Sequence, residues 1–530
     1  MNKLNKNLIP DHWYNILGDF PQMFEPFLQP GSNQPIGQDA LEPLFAPSLI
    51  EQELDCRSNR IPIPEDVRQR YEIWRPTPLI RAVHLERHLN TSCKIYFKYE
   101  GCSPVGSHKA NSAIAQAYLS KKDGFQRCVA ETGAGQWGSA ISMASSFYGL
   151  DCKVFMVQNS FNSKPARRIL METYGSRVVS SPSRDTQTGR DILQQNPEFP
   201  GSLGVAIGEA IETARGDKKT VYTMGSAFNF VCHHQTVIGL ELKNQMAQMG
   251  ISPNYIVSCI GGGSSFAGIA FPFLKDKLEK RLDLEFVAVE STAVPTVTKG
   301  EYSYDYGDTA QLTPLMRMYT LGHKFSPPVI HSGGLRYHGL SPLVSRFLKD
   351  GHGCAVAYSQ KEIFEAALTF ARLEGLIPAP ETAHGLKAAM DLAVQNRGQN
   401  KTIVFCMTGH GFFDLAGYKL FLEGKMEDST DYAPPAQPPV IAAPQTGGDG
   451  FEGWWSKNFG ADLKAAPTQG GEPDNRENYK ILTASKVERL IKSNQRTVFL
   501  PADAIVTPLA LEASRALGLD IRKEGRRHEG

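Results

Sequence analysis

Short apolar runs alternate with longer amphipathic stretches between about residue 94 and residue 425. The runs include KIYFKYE, CKVFMV, YIVSCI, EFVAVE and TIVFCM, and the stretches between them include HKANSAIAQAYLSKKDG and PARRILMETYG. Continuous apolar runs of this length are typical of strands buried on both faces, and amphipathic stretches are typical of the helices that cover them. The pattern therefore predicts an α/β fold with mainly parallel sheets covered by helices.

The rest of the chain differs in composition from this central region. Residues 1–75 are irregular and rich in proline, with one helix predicted near 64–71, and we interpret them as an N-terminal arm on a body of residues 76–425. Residues 426–475 are rich in proline and glycine, which is the composition of a linker. Residues 476–530 are predicted to form a small α/β module that is too short to fold robustly alone.

Local signals place elements within the C-terminal region. ASKVERLIK is predicted to be helical and RTVFLP to be a strand. Thr507 and Pro508 are suited to start a helix that stops at Gly518, and residues 519–522 are suited to a second strand. In the linker, the aromatic segment 451–459 is interpreted as a loop on the body or as a docking peptide for a protein partner, because aromatic anchors dominate interface energies.

Charge and cysteine usage exclude several classes of function. The chain has 56 Lys and Arg against 55 Asp and Glu, so no overall field gathers nucleic acid or an anionic membrane. Residues 255–274 lack charge over the length of a membrane span, but three glycines, two serines and Pro272 divide them into a strand, a tight loop and a helix. The nine cysteines form no C-x-x-C pair, and the N-terminus has no apolar signal segment. We therefore expect a soluble cytoplasmic protein with reduced thiols and no metal site.

The motif GSHKANSA, at residues 106–113, follows a predicted strand and opens a predicted helix. A lysine at a helix start is usually a solvated surface charge. Here Lys109 lies between His108 and Asn111, in a donor-rich setting that favours anions. Such a lysine suits pyridoxal phosphate (PLP) chemistry, which needs an amine that forms an imine, is displaced by substrate and then carries a proton.

Two glycine-rich turns follow other apolar runs. In ETGAGQWGSA, at residues 131–140, the glycines allow backbone N–H groups to converge on a carboxylate or phosphate, although an ordinary strand-to-helix turn would have the same composition. In IGGGSSFAG, at residues 260–268, three glycines and two serines can surround a phosphate. This turn lacks the Gly-Lys-Ser/Thr ending of a P-loop and the spacing G-x-G-x-x-G, so it favours a cofactor phosphate over a nucleotide.

Read in order, nine motifs resemble the tryptophan synthase β chain. They are WRPTPL, FKYEG, GSHKANSA, ETGAGQWGSA, HQTVIGLE, GGGSS, GGLRYHGLSP, PAPETAHG and TGHGFFD. More narrowly they resemble its second, β-like branch, whose members have an extended N-terminal arm. The resemblance covers about residues 8–425. It implies a fold type II PLP enzyme with two α/β domains, the cofactor between them and a homodimeric assembly.

The resemblance also implies roles for individual residues. Lys109 would hold PLP covalently and Glu131 would be the acid–base group. The implied cofactor-binding residues are His108, Lys109, Gln136, Gly261, Gly262, Gly263, Ser264, Ser265, Glu381 and Thr408. The implied substrate-binding residues are Thr132, Gly133, Ala134, Gly135, Gln136, Trp137 and Arg336. His108 would lie beside the phosphate, Gln136 near the phenolic oxygen and Thr408 against the pyridine nitrogen, and a monovalent cation is allowed as a second cofactor.

The implied activity is that of a lyase in tryptophan biosynthesis. Serine and indole would give tryptophan through an aminoacrylate, with Lys109 moving the Cα proton and Glu131 protonating the leaving group. Arg336 stands where the main branch has an acidic residue. A guanidinium suits a phosphate leaving group, so O-phospho-L-serine is expected as a donor as well as, or instead of, serine. A structural arginine paired with an acid is the alternative.

Three departures from the family pattern concern polar groups at the site. The usual GGGSN, ESAH and SGHG are replaced by sequences with Ser265, Thr382 and Thr408, each of which keeps a hydroxyl or a small polar group. PLP binding is therefore expected to survive. A related PLP enzyme that uses another nucleophile, or a member of a larger assembly recruited through the C-terminal module, remains an alternative. Binding of a tryptophan synthase α chain is left open.

Overall fold

The computed structural model describes residues 8–428 and, nearer the C-terminus, residues 481–482, 487, 490–491, 496–500, 505–506 and 508–523. The predicted roles of the aromatic segment 451–459 lie outside the described residues, as does most of ASKVERLIK. The boundaries proposed between arm, body, linker and module remain predictions.

Strands and helices alternate through the body as the apolar pattern predicts. The strands are β1 (His12–Tyr14), β2 (Arg60–Pro62), β3 (Leu79–Arg81), β4 (Lys94–Tyr99), β5 (Arg127–Thr132), β6 (Asp151–Val157), β7 (Arg177–Ser181), β8 (Thr220–Thr223), β9 (Tyr255–Cys259), β10 (Glu285–Ser291), β11 (Glu301–Tyr306), β12 (Leu315–Thr320), β13 (Cys354–Tyr358), β14 (Thr402–Met407), β15 (Ile481–Leu482), β16 (Thr497–Leu500), β17 (Ile505–Val506) and β18 (Asp520–Lys523).

The α-helices are α1 (Pro47–Leu54), α2 (Glu65–Tyr71), α3 (Val83–His88), α4 (Ala110–Lys122), α5 (Gln136–Tyr148), α6 (Gln158–Ser163), α7 (Pro165–Thr173), α8 (Gln187–Gln195), α9 (Leu203–Arg215), α10 (Asn229–Gln235), α11 (Val237–Met249), α12 (Ser264–Leu278), α13 (Pro342–Lys349), α14 (Gln360–Glu374), α15 (Pro380–Gln395), α16 (Leu415–Leu422) and α17 (Pro508–Leu517). Short 3₁₀ helices occupy Ile16–Gly18, Pro21–Met23, Gln38–Ala40, Glu100–Cys102 and Gly333–Leu335.

Two sheets organise the body. The larger has six strands in the order β13-β10-β9-β14-β4-β3, and the smaller has four in the order β7-β6-β5-β8. Every neighbouring pair in both sheets is parallel except β3 with β4. β14 is buried along its whole length, as expected of a strand covered by helices on both faces. The predicted α/β fold with mainly parallel sheets is confirmed.

The N-terminal segment contributes to the main apolar core. Trp13, Ile16, Phe45 and Leu49 are fully or almost fully buried and belong to the same core as side chains of the body. The helix predicted near 64–71 is present as α2. The sequence did not predict α1, which begins with a proline in a suitable first position and packs against α10.

The uncharged stretch 255–274 forms the strand β9, a glycine turn and the first part of α12, as predicted. Among the residues described, no helix is both long and apolar enough to cross a membrane. All nine cysteines are free thiols, and seven of them are buried.

The described part of the C-terminal module contains two pairs of parallel strands. β15 pairs with β17, and β16 pairs with β18. The predicted strands near residues 496–501 and 519–522 are confirmed as β16 and β18. Helix α17 begins at Pro508 and is followed by Gly518 with a φ of 73°, which is the helix start and stop that the sequence predicted. Six buried apolar side chains form a small core of their own.

Candidate active site

The predicted site residues come together at the carboxyl ends of parallel strands. β4, β9 and β14 of the large sheet and β5 of the small sheet each lead into a loop that faces the same region, which is where open α/β sheets bind ligands. One cavity there is lined by Lys109, Glu131, Thr132, Gly133, Ala134, Gln136, Trp137, Leu203, Gly225, Ser226, Gly262, Gly333, Gly334 and Tyr337.

Lys109 is the residue immediately before α4, and its half-buried side chain lines this cavity. Nζ donates a hydrogen bond of 2.8 Å to the carbonyl oxygen of Gly225. Burial lowers the pKa of the amine to about 8, although the nearby carboxyl groups of Glu131 and Glu381 act in the opposite direction. A substantial fraction of Lys109 is therefore neutral near physiological pH, and a neutral amine is the form that attacks a carbonyl.

A buried ion network anchors the start of α4. The guanidinium of Arg75 pairs with Glu100 at 2.6 Å and donates from Nε to the Asn111 side chain at 3.1 Å. Asn111 in turn donates to Glu100 at 3.1 Å. Arg75 and Glu100 have no exposed side-chain surface. Because Asn111 is only two residues after Lys109, this network fixes the helix end that carries the lysine.

Glu131 is the next-to-last residue of β5, and its carboxyl group is buried. Tyr222 of the adjacent strand β8 donates a hydrogen bond of 2.7 Å to Oε2. Burial raises the pKa of Glu131 to about 7, while the bond from Tyr222 works against this rise. A carboxyl group with such a pKa can give up and regain a proton near neutral pH.

The turn between β9 and α12 can exist only with glycines. A Cβ on Gly261 would lie 2.4 Å from the carbonyl oxygen of Gly334, and one on Gly262 would lie 2.2 Å from Oγ of Ser226. Gly263 precedes the helix with a φ of 95°, a conformation that favours glycine. The turn therefore brings bare backbone and the positive end of a 15-residue helix to the site, as phosphate binding requires.

The serines that follow the glycine turn have different neighbours. Ser264 Oγ lies 3.4 Å from Nε2 of His108, whereas Ser265 donates to the carbonyl oxygen of Cys259 at 3.0 Å. Burial and the neighbouring Lys109 lower the pKa of His108 to about 3, so this imidazole is neutral. Ser264 and His108 thus form one side of the turn, and Ser265 holds the turn to its own strand.

The loop between β5 and α5 is closed by a side chain of its own. Thr132 Oγ1 accepts hydrogen bonds from the backbone N–H groups of Gly135, at 3.2 Å, and Gly138, at 3.1 Å. Gly135 has a φ of 92° and comes directly before α5, and Trp137 donates from Nε1 to the carbonyl oxygen of Thr223 at 3.3 Å. Of the predicted carboxylate-binding residues 132–137, Gly135 alone is absent from the cavity lining.

Three further predicted residues lie outside the cavity lining. Glu381 Oε1 accepts from the backbone N–H of Gly334 at 2.7 Å, and its buried Oε2 has no hydrogen-bond partner among the described residues. Thr408 Oγ1 lies 2.8 Å from Oγ1 of Thr382. Arg336 lies between the lining residues Gly334 and Tyr337 in sequence, but its own side chain does not line the cavity.

Arg336 is buried, and no carboxylate in the described part of the chain pairs with it. Nη2 donates to the carbonyl oxygen of Pro327 at 3.0 Å, and Nε has no hydrogen-bond partner within the residues that the structure describes. Burial alone lowers the pKa of the guanidinium, since no carboxylate within the described residues acts on it. The alternative of an arginine paired with an acid is therefore not observed in this part of the chain.

Sequence reasoning missed several residues of the cavity. They are Leu203, Gly225, Ser226, Gly333, Gly334 and Tyr337, together with Tyr222 behind Glu131. Gly333, Gly334 and Tyr337 belong to GGLRYHGLSP, in which the resemblance gives a site role only to Arg336. The others come from segments without a distinctive motif, so no local signal would have identified them.

The residues of this site fit PLP. Lys109 offers an amine in the cavity, the glycine turn offers backbone that no side chain covers, and Glu381 carries a buried oxygen that has no partner among the described residues. A family model described as "Pyridoxal-phosphate dependent enzyme" matches residues 71–409, which is more than half of the chain. The chain is therefore a PLP-dependent enzyme, and the expected fold class and cofactor are confirmed.

Comparison with curated proteins narrows this class. The chain is 51% identical to tryptophan synthase beta chain 2 of Methanosarcina mazei over 80% of this chain and 96% of the relative. It is 52% identical to the proteins of the same name from Aquifex aeolicus, over 80% and 99%, and Thermotoga maritima, over 77% and 97%. The chain belongs to the tryptophan synthase β chain family, which confirms the resemblance seen in its motifs.

Among solved structures it is similar to a fungal L-serine ammonia-lyase from Rhizomucor miehei, with a TM-score of 0.49 and 17% identity over 66% of this chain and 98% of that chain.

Proposed function

We propose that this protein catalyses a β-replacement in which a serine-type donor and indole give L-tryptophan. The observation that carries the proposal is the presence of Lys109 and Glu131 in one buried cavity, with both pKa values moved toward neutrality. Family membership supplies the reaction, because the relatives are named as tryptophan synthase beta chains.

PLP, when bound, supplies an electron sink for negative charge at the substrate Cα. Lys109 would hold it through its amine, and residues 261–264 with His108 would hold its phosphate. Once substrate has displaced it, the Lys109 amine takes the Cα proton and later returns it. The lowered pKa of Lys109 suits this work, because the base must be neutral before it accepts the proton.

Glu131 transfers the protons that are exchanged when the groups on the substrate Cβ are replaced. In its protonated form the carboxyl group gives a proton to the departing oxygen at Cβ. It is then a carboxylate, and it accepts the proton that indole loses when C3 bonds to Cβ. A pKa of about 7 makes both forms available, and Tyr222 holds one carboxylate oxygen throughout. Backbone N–H groups of residues 132–137 would bind the substrate carboxylate, apart from that of Gly135, which donates to Thr132.

We further propose that O-phospho-L-serine is a donor in addition to serine. Arg336 is a buried guanidinium that lacks a carboxylate partner within the described residues and lies next to the cavity lining in sequence. A phosphate dianion would satisfy its charge with forked hydrogen bonds, whereas the hydroxyl of serine would not.

We also propose that the protein works as a cytoplasmic homodimer and uses a monovalent cation besides PLP, as its resemblance to the β chain implies. Light scattering of the purified protein tests the dimer, and turnover with and without sodium or potassium tests the cation. The same purification from cells tests for a protein partner of the C-terminal module or an α chain, either of which would copurify.

The central experiment follows the cofactor's absorption band while substrates are added in turn. Serine or phosphoserine should change the band, indole should restore it, and mass spectrometry should identify tryptophan. The Lys109→Ala variant should show neither the original band nor a response. A change with serine that indole does not reverse, while a thiol or amine from a panel is incorporated, would contradict the proposal and favour a related enzyme with a different nucleophile.

A further inference from the structure

Two buried threonine hydroxyls lie next to each other at the end of β14. Oγ1 of Thr382 and Oγ1 of Thr408 are 2.8 Å apart, and the two residues are 0% and 3% exposed. At this distance one hydroxyl donates its only proton to the other. The direction of that donation decides what Thr408 can offer to a ligand.

The neighbours of Thr382 favour one direction. The backbone N–H of Gly409 donates to Thr382 Oγ1 at 3.1 Å. The proton of Thr382 can go to Thr408 at 2.8 Å or to the carbonyl oxygen of Gly409 at 3.2 Å. That carbonyl oxygen already accepts a hydrogen bond of 2.9 Å from the N–H of Ala379. Donation to Thr408 is therefore the shorter bond, and it avoids a second hydrogen bond to the Gly409 carbonyl oxygen.

Thr408 then keeps a proton of its own to donate. Besides Thr382, its hydroxyl has one other hydrogen-bonding neighbour among the described residues, the sulfur of Cys259 at 3.8 Å, and a thiol is a weak acceptor. The backbone of Thr408 is held separately, because its carbonyl oxygen accepts from the N–H of His108 at 2.9 Å. In this order the donations run from Gly409 through Thr382 to Thr408, and successive bonds in one direction strengthen each other.

We propose, on the basis of the function proposed above, that Thr382 is a positioning residue which orients the Thr408 hydroxyl as a hydrogen-bond donor to the ring nitrogen of PLP. A nitrogen that accepts this proton keeps its lone pair engaged and stays unprotonated. The reverse order, in which Thr408 donates to Thr382, would leave Thr408 only lone pairs and would suit a protonated nitrogen.

The test replaces Thr382 with valine and with serine, each of which differs from threonine in one group. Valine keeps the shape of threonine but removes the hydroxyl, which leaves the Gly409 N–H unpaired and the Thr408 hydroxyl free to rotate. Serine keeps the hydroxyl and removes the methyl group. Thr402→Val is the matched control, because Thr402 is a buried threonine at the opposite end of β14.

Two readouts are taken on the holoenzymes without substrate: the ¹⁵N chemical shift of ring-labelled PLP and the dissociation constant of the cofactor. We expect an unprotonated shift in the wild type, in Thr382→Ser and in Thr402→Val. In Thr382→Val we expect the shift to move and the dissociation constant to rise about tenfold, the effect of one lost buried hydrogen bond. If Thr382→Val does not fold, Thr382→Ala is measured in its place.

Reference measurements on Thr408→Val separate this inference from the proposed function. If Thr408→Val moves the ¹⁵N shift but Thr382→Val does not, Thr382 has no positioning role and the inference is overturned while the proposed function stands. A protonated nitrogen in the wild type would also overturn it, because it requires the reverse order of donation. If Thr408→Val has no effect, or the protein binds no PLP, the proposed placement of the cofactor fails.

Discussion

The phenolic hydroxyl of Tyr222 donates a hydrogen bond of 2.7 Å to Oε2 of Glu131, and both groups are buried. The two residues lie on neighbouring parallel strands, β8 and β5, whose pairing brings them together at the edge of the cavity. Burial alone favours a protonated Glu131, and the phenol stabilises the carboxylate. Tyr222 therefore adjusts the proton affinity of the proposed acid–base group.

Replacing Tyr222 with phenylalanine is expected to raise the pKa of Glu131 above about 7, because the carboxylate loses a hydrogen bond and the acid does not. Glu131 must be protonated when it assists the leaving group. In the pH profile of kcat/KM for the amino-acid donor, the limb that falls at high pH should therefore move to higher pH by about one unit. Tyr255→Phe, a tyrosine change at the start of β9, should leave the profile unchanged. A limb that stays in place or moves to lower pH would contradict a role for Tyr222 at Glu131.

The pKa of Lys109 predicts how the protein takes up its cofactor. Only the neutral amine attacks the aldehyde, so the rate of PLP incorporation into the apoprotein should rise with pH and level off above a midpoint near 8. Stopped-flow absorbance measures this rate, and borohydride reduction with mass spectrometry locates the modified lysine. Lys109→Ala should incorporate no PLP at this site. A midpoint near the ordinary lysine value of 10.5 would show that burial does not activate the amine.

Arg336→Gln is expected to change the KM values for O-phosphoserine and serine by different factors. The KM for O-phosphoserine should rise about tenfold to a hundredfold, because a charge-assisted hydrogen bond is lost, while the KM for serine should change little. Arg372→Gln removes an exposed guanidinium from α14 and serves as the control. If both donors respond equally, or if the wild type does not use phosphoserine, Arg336 does not bind a phosphate leaving group.

Gly261→Ala is expected to weaken PLP binding more than tenfold. The added Cβ would lie 2.4 Å from the Gly334 carbonyl oxygen. Because the nearest atoms all belong to the backbone of Gly334 and Leu335, the turn itself must shift. Gly385→Ala is the matched control, because the nearest atom to its Cβ would be 3.6 Å away. Fluorescence titration gives the dissociation constants, and urea unfolding of each apoprotein reports loss of stability separately. Wild-type affinity in Gly261→Ala would exclude the turn as a close cradle for the phosphate.

Much of the fold could be predicted because its signals are local. The apolar runs that became β4, β9 and β14 are continuous in sequence, and so are the helix start at Pro508 and the stop at Gly518. Helix α1 was missed because it lies in a proline-rich segment with little periodicity. Its stability comes from packing against distant helices, and no window of sequence contains that information.

The sequence by itself determined the class of this protein, the order of its strands and helices, and the positions of Lys109, Glu131 and the glycine turn, because each is encoded in a short contiguous motif. Only the tertiary structure decided which groups surround them. Tyr222 lies 91 positions from Glu131, and Thr382 lies 26 positions from Thr408. Burial and hydrogen-bond direction set the proton affinities at the site, and both arise only when segments that are distant in sequence pack together.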